Sequence, residues 1–335
     1  MNILSAQIEA LRIFGYSEAE ARFLHLVATH SGYFVARQFC GFTSDSWGKR
    51  TTKIWKKLQS KQHARTHRLA RGGTVYHLFS HKIYRQIGRE FPSKRHEHEL
   101  HYIHARIAML DFVLANPDVD YFETEADKVA YFLKEMAVAA YHLPSKSYGR
   151  GNASKPTVRY FVDQFPMFLQ ARLEEPRLIT FTYLQGAEVN LSGFVHHLQM
   201  YLPLFRELSE FRFLFLARSE AHFLKASELF RTHVAILLEP APAEDLLRYF
   251  TIRKAWDLGE YDSLGEAELI FRNLAKERFA GARFEHYYRA WRAGRVSEAE
   301  LQDEFRGSDK THKTHFETLI LKAFPQSDST LGAKR

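Results

Sequence analysis

The 335-residue sequence contains one cysteine, Cys40. A single thiol cannot build an internal disulfide framework, and such scarcity suits a reducing compartment. Long apolar runs are missing too. The longest, such as FLHLVA and VAILL, are far too short to span a bilayer, and no basic segment followed by an apolar stretch opens the chain, so a cytoplasmic protein without a membrane partner is expected. The phosphate-loop pattern G-x-x-x-x-G-K-[ST], the dinucleotide pattern G-x-G-x-x-G and the nucleophile elbow G-x-S-x-G are absent, and no cofactor is expected. Acids are missing most unevenly. Between residues 43 and 95 only Asp45 and Glu90 oppose 14 Lys and Arg.

What is present supports folded cores: 45% of residues are hydrophobic and 14% aromatic, enough for two or three domains over this length. The net charge of +8 is concentrated. Residues 43–95 carry a local net of +12, and the remaining 33 bases and 37 acids leave the rest of the chain at −4. Charge confined to one segment, with almost no acid interspersed, is the footprint of a polyanion site rather than of an ordinary solvated face.

The segment before it, SEAEARFLHLVATHSG, predicts a helix capped by a Ser17/Glu20 box and stopped by Gly32. YFVARQFCGF follows as a short extended piece and a short helix, with Cys40 in the core. Thr43 and Ser44 are good N-caps for a third helix over about 45–60. Trp47, Thr51, Ile54, Trp55 and Leu58 fall on its core face, and Lys49, Lys53, Lys56 and Lys57 fall elsewhere, flanked by Arg50 and Thr52. Gly72-Gly73 between RTHRLA and TVYHLF reads as a two-residue hairpin turn pairing Arg71 with Thr74 and Leu69 with Tyr76. That register leaves Arg65, Arg68 and Arg71 near the edge or tip.

Helix, strand, short helix, basic helix and basic hairpin is the order of a winged helix-turn-helix. Residues 1–92, on that order and on SWGKRTTKIWKKL…HRLARGGTVYHL, resemble the MarR-like winged helices and the related modules of replication-relaxation proteins carried by mobile elements. The resemblance implies double-stranded DNA as partner, with the basic helix in the major groove and the wing on the adjacent backbone. The candidate contacts are Ser46, Lys49, Arg50, Thr52, Lys53, Lys56, Lys57, Arg65, Arg68, Arg71 and Thr74; of these, Lys49, Arg50 and Lys53 are expected to reach base edges, and Lys56, Lys57, Arg68 and Arg71 to meet phosphates.

Residues 93–117 predict one long helix whose Leu100/Ile103/Ile107/Leu110/Leu114 seam suits a connector or a homodimer interface. Its histidines (His96, His98, His101, His104) lack the HExxH spacing and are read as surface groups. Residues 118–240 alternate strand and helix as an α/β unit, with TVRYFVDQFPMFL, RLITFTYLQG, FRFLFLAR and VAILL as strands. Its order is that of a restriction-endonuclease-like core. Glu123 or Glu125 and Asp163 could serve as metal ligands, but LITFTYLQG supplies neither the further acid nor the Lys that metal-dependent cleavage needs. The region is therefore read as non-enzymatic, with no metal. Residues 241–325 read as helical, THFETLILKAF included, and 326–335 as a disordered tail. The fold class expected is α+β. The expected function is sequence-specific DNA binding, in transcriptional control or in replication or transfer of a mobile element. A nuclease and a protein-docking winged helix are the alternatives.

Overall fold

A computed structural model of the chain describes residues 3–44, 49–68, 73–89, 92–149, 157–163, 165–173, 176–186, 190–239, 243–305 and 312–324. The fold is α+β, 56% helix and 18% strand, with the strands split among three separate sheets. Among the described residues no helix is long and apolar enough to cross a membrane.

The N-terminal elements are α1 (Ser5–Arg12), α2 (Glu18–Leu26), β1 (Tyr33–Val35), α3 (Ala36–Thr43), α4 (Lys49–Ser60), β2 (Ala64–Arg68), β3 (Thr74–Leu78), α5 (His81–Gln86) and α6 (Pro92–Arg95). At the start of α2 the Ser17 hydroxyl accepts from the Glu20 amide and the Glu20 carboxylate accepts from the Ser17 amide. These bonds satisfy two donors that a helix start leaves orphaned. The helix widens into a π turn over Val27–Ser31 and ends at Gly32, φ +82°. Gly32 is required there twice over. The left-handed backbone disfavours any Cβ, and a Cβ would lie 3.0 Å from the Lys94 carbonyl oxygen.

The sheet runs β1-β3-β2, antiparallel throughout. Its register differs from the one expected. Arg68, not Arg71, faces Thr74, and Thr66 faces Tyr76. The expected Gly72-Gly73 turn falls outside the described residues, which resume at Gly73. The central strand is committed on both sides: Tyr76 packs on Phe34 and Trp55, and Val75 packs with Tyr33, Ile103 and Ile107. Pairing with β1 and burial on two faces set the register more strongly than the turn does. Thr43 and Ser44 also differ from expectation. Thr43 bonds back to the Phe39 and Cys40 carbonyls, and Ser44 closes α3 in the left-handed region. They finish one helix instead of starting the next.

The expected long helix is two. After α6 comes α7 (Leu100–Ala115), buried nearly all round. Ile103 and Ile107 meet Tyr33 and Val75, and Leu110 and Leu114 enter the N-terminal core. The seam is thus filled within the chain and is not free for a second copy; only Leu100 stays exposed. The opposite side of α7 (Ala108, Met109, Phe112, Val113) covers one face of a five-stranded sheet through Phe168, Leu184, Leu214 and Leu216.

That sheet comprises β4 (Asp120–Tyr121), β7 (Met167–Gln170), β8 (Leu178–Leu184), β9 (Glu210–Ala217) and β10 (Lys313–Ile320), in the order β10-β9-β8-β7-β4. Between β4 and β7 lie α8 (Glu125–Ala130), a π turn, and a separate two-stranded ribbon of β5 (Ser145–Tyr148) and β6 (Thr157–Tyr160). So TVRYFVDQFPMFL is two strands in two different sheets, with a turn between. Strand β9 shows why its run is apolar: Phe211, Phe213 and Phe215 face one helical layer while Leu214 and Leu216 face α7. The first layer is α9 (Ser192–Phe205), α10 (Phe223–Phe230) and a π turn leading to α11 (Ile236–Leu238). The expected strand VAILL is this helical continuation.

Four helices follow, α12 (Ala243–Asp257), α13 (Glu266–Arg278), α14 (Ala282–Arg292) and α15 (Glu298–Phe305), around a cluster that includes Phe250, Phe279, Tyr288 and Phe305. The chain then returns to the sheet. THFETLIL, expected as a helix, forms β10, parallel to β9, and Phe316 stacks on Phe213 and Phe230. The four helices are an excursion between two neighbouring strands.

One carboxylate ties α7 to the rest. Asp111, 1% exposed, takes both arms of the Arg37 guanidinium at 2.6 and 2.8 Å, the Gln38 amide at 2.7 Å and the Phe324 backbone N–H at 3.2 Å. Removing one partner of such a buried pair costs about 3–5 kcal/mol, because the remaining groups stay desolvated and unmatched. Asp111→Ala should therefore lower unfolding stability by about 3 kcal/mol, the lower end because Arg37 is partly exposed, as measured by urea denaturation. A loss below about 0.5 kcal/mol, the level of an ordinary surface substitution, would contradict this role.

Buried histidines make the N-terminal part acid-sensitive. Burial lowers His25, His63 and His77 each to about 4, and for His25 the Arg89 guanidinium adds to the effect. The unfolded chain therefore binds protons that the folded one refuses between pH of about 6.5 and 4. Stability is complete above that window and falls as pH drops through it, by up to about 1.4 kcal/mol per pH unit for each histidine. The urea midpoint should decline steeply from pH of about 7 to about 5, and His63→Gln should flatten the decline.

Candidate nucleic-acid interface

Helix α4 is held on one side and free on the other. Ile54 and Leu58 are 2% and 0% exposed, and Trp55 lies against Tyr76 with ring centres 4.6 Å apart. A helix turns about 100° per residue, so positions 49, 53, 56 and 60 form one stripe opposite Ile54 and Leu58. Thr52, Lys53, Lys56 and Ser60 are exposed on that side and, with Lys57, line a shallow depression. Among the described residues no carboxylate pairs with Lys53 or Lys56. Lys49 and Arg50 belong to α4 by backbone; Ser46 and Arg71 lie outside the described residues.

Lys57 is different. Its ammonium sits 2.6 Å from the Glu20 carboxylate and 5.9 Å from the centre of the Tyr16 ring. Tyr16 in turn shares a 2.8 Å hydrogen bond with His63, at the start of the hairpin. Expected as a phosphate contact, Lys57 is instead already neutralised and fastens α4 to α2.

The hairpin cations also divide. Residues directly opposite each other on paired strands point to the same face. Arg68 opposes Thr74, and Thr66 opposes Tyr76, so Arg68, Thr66 and the half-buried Thr74 share the face on which Trp55 of α4 packs. Arg65 opposes His77 on the other face and stacks 4.1 Å from the centre of the Phe79 ring. The expected trio of wing arginines is therefore not one patch. Arg68 lies on the side of α4; Arg65 does not.

The acids considered for metal-dependent cleavage are each engaged with protein groups. Glu123 pairs with Arg89 at 2.5 Å and lies 3.5 Å from His25. Glu125 holds Arg159 at 2.7 Å and the Tyr160 amide at 2.7 Å. Asp163 accepts from the Tyr201 hydroxyl at 2.8 Å and the Phe165 amide at 3.1 Å, and lies 3.1 Å from His197. Burial opposes its charge, but His197, Lys128 and Tyr201 outweigh burial and hold the Asp163 carboxyl below its usual range. Strand β8 carries neither acid nor Lys. Among the described residues no cluster of three or more His, Cys, Asp or Glu is placed to hold a metal ion. His98 packs against Tyr102 with ring centres 4.1 Å apart, and His101 faces Glu99 at 3.3 Å.

No protein-family model, curated protein or solved structure matches the chain.

The division among the lysines has a direct consequence. Lys57→Ala breaks a half-buried ion pair and should cost roughly 1.5–3 kcal/mol of stability. Lys53→Ala and Lys56→Ala should leave stability within about 0.5 kcal/mol, as exposed substitutions do. Thermal melting of the three variants checks this. Equal losses in all three would contradict the assignment of Lys57 as the anchored one.

Proposed function

We propose that the protein binds double-stranded DNA through α4 and the β2–β3 hairpin, acting as a winged helix-turn-helix. Its role is transcriptional regulation, or an accessory function in replication or transfer of a mobile element. The observation that carries this reading is the exposed Lys53/Lys56 stripe, free of carboxylate partners among the described residues and backed by a buried face, with Arg68 turned to the same side. A protein fold exposes such an unscreened row of cations at a cost in self-repulsion, and a polyphosphate relieves it. In this reading Thr52 and Lys53 on α4 meet base edges, and Lys56 and Arg68 meet phosphates. A second copy on a palindromic site would have to pair through a surface other than the α7 seam.

The test is a binding titration on duplex DNA over a salt series with the full chain. Binding should weaken linearly in log–log form, and Lys56→Ala or Arg68→Ala should each flatten the slope by about 1, equally on all sequences. Lys57→Ala should change the slope less than Lys56→Ala, because its charge is already matched by Glu20. Binding without salt dependence, or slopes unaffected by Lys56 and Arg68, would rule out this interface.

A further inference from the structure

Among the described residues the two edges of the five-stranded sheet are unlike. At one edge β4 is two residues long, and a short edge strand guards a sheet against unwanted pairing. At the other, β10 presents eight residues, all paired with β9 without a bulge and containing neither Pro nor Gly. The register fixes which peptide groups face outward. The Lys313 amide donates to the Ser209 carbonyl, and the Leu321 amide donates to the Ala217 carbonyl. Odd-numbered residues of β10 therefore bond to β9, and even-numbered ones turn their N–H and C=O away from it. Among the described residues the outward groups of Thr314, Phe316 and Thr318 have no hydrogen-bond partner.

The strand is complementary to itself about Phe316. Residues 314–318 are Thr-His-Phe-Glu-Thr: the same residue at either end, a ring at the centre, and a base and an acid between. Antiparallel pairing with a second copy, the twofold axis at Phe316, sets Thr314 opposite the partner's Thr318 and Phe316 opposite the partner's Phe316. It also sets His315 opposite the partner's Glu317. The Thr–Thr and Phe–Phe pairs then fall on outward-facing residues, and each such pair exchanges two backbone hydrogen bonds. His315 lies 2.9 Å from Glu210 and Glu317 lies 3.7 Å from Arg212, yet both side chains stay about half exposed. Leu319, 40% exposed, meets the aliphatic stem of the partner's Lys313. Other registers fit less well. An axis at Glu317 sets two carboxylates directly opposite each other, which is destabilising. An axis at His315 leaves Leu319 and Ile320 beyond the overlap.

We propose that two copies of the chain pair through β10 as antiparallel edge strands, joining their five-stranded sheets across a twofold axis at Phe316. The occupant of the edge is a second copy, rather than an unrelated extended segment, because the side-chain order of 314–318 matches its own reverse. Phe316 keeps its stacking on Phe213 and Phe230, since pairing uses only backbone groups at the strand's outer edge. The proposal does not rest on DNA binding. A chain that pairs here and ignores DNA would keep it, and a chain that binds DNA as a monomer would remove it alone.

Sedimentation velocity of the full chain should show a dimer at micromolar concentration. Thr318→Pro removes an outward N–H and spares the bonds to β9, the arrangement in which an edge strand accepts Pro. It should weaken the dimer about tenfold or more, because hydrogen bonds are lost at two symmetry-related places. Glu317→Lys, at an exposed position, should weaken the dimer several-fold and reports even where the Pro variant fails to fold. Crosslinking reads the register. An oxidised mixture of His315→Cys and Glu317→Cys chains should join as a mixed disulfide, because the two positions lie directly opposite, whereas either chain alone should stay largely unjoined. The native Cys40 is buried and does not compete. A chain that stays monomeric, a dimer that both variants leave intact, or one variant crosslinking to itself in preference to the mixture would overturn the proposal. A monomer that takes up an added extended peptide would assign the edge to another protein and overturn it equally.

Discussion

The carboxylate of Asp111 is the point through which three parts of the chain are held together. It sits on α7, which is buried between the N-terminal sheet and helices on one side and the five-stranded sheet on the other. Its partners, Arg37 and Gln38, open α3, and Phe324 lies just beyond β10. A helix apolar on every side can slide or rotate in its groove, since hydrophobic contact is non-directional. The bidentate guanidinium and the amide convert that loose fit into one register. With α3 placed, the antiparallel β1–β3 pairing follows.

The same economy governs α4. Its inner face is secured by Ile54, Leu58 and the Trp55–Tyr76 contact, and one of its lysines is used as a tether to Glu20. The lysines that remain uncommitted lie on the outer stripe. Charge density alone does not separate these roles. A cation facing a buried-side carboxylate stabilises the fold, while one with no acid near it is available to a ligand, and the two sit one residue apart at Lys56 and Lys57.

Local signals were legible in the sequence and non-local ones were not. The Ser17/Glu20 capping box, the stop at Gly32, the inner face of α4 and strands β8 and β9 were all readable from capping chemistry and periodicity. The hairpin register was not, because β1, thirty-odd residues upstream, decides which β3 residues face the core. VAILL could not be told from a strand: a short apolar run has no resolvable period. THFETLIL offers both a helical spacing, at Phe316, Leu319 and Ile320, and an alternation. Only β9, on the far side of four intervening helices, selects the alternation. The apolar seam of α7 was recognised, but not that the chain itself fills it. In the candidate interface the basic stretch was evident from charge alone; the Glu20 tether on Lys57 and the opposite facing of Arg65 and Arg68 arise from contacts between elements.

The central claim is that the outer stripe of α4 and the adjoining face of the hairpin meet DNA. Hydrogen–deuterium exchange of the full chain, with and without a duplex at low salt, addresses it most directly. Protection on DNA addition should appear over residues 49–60, 64–68 and 74–78 and be absent from the four helices spanning 243–305. Protection confined to those four helices, or none anywhere on the chain under conditions where the duplex is bound, would contradict it.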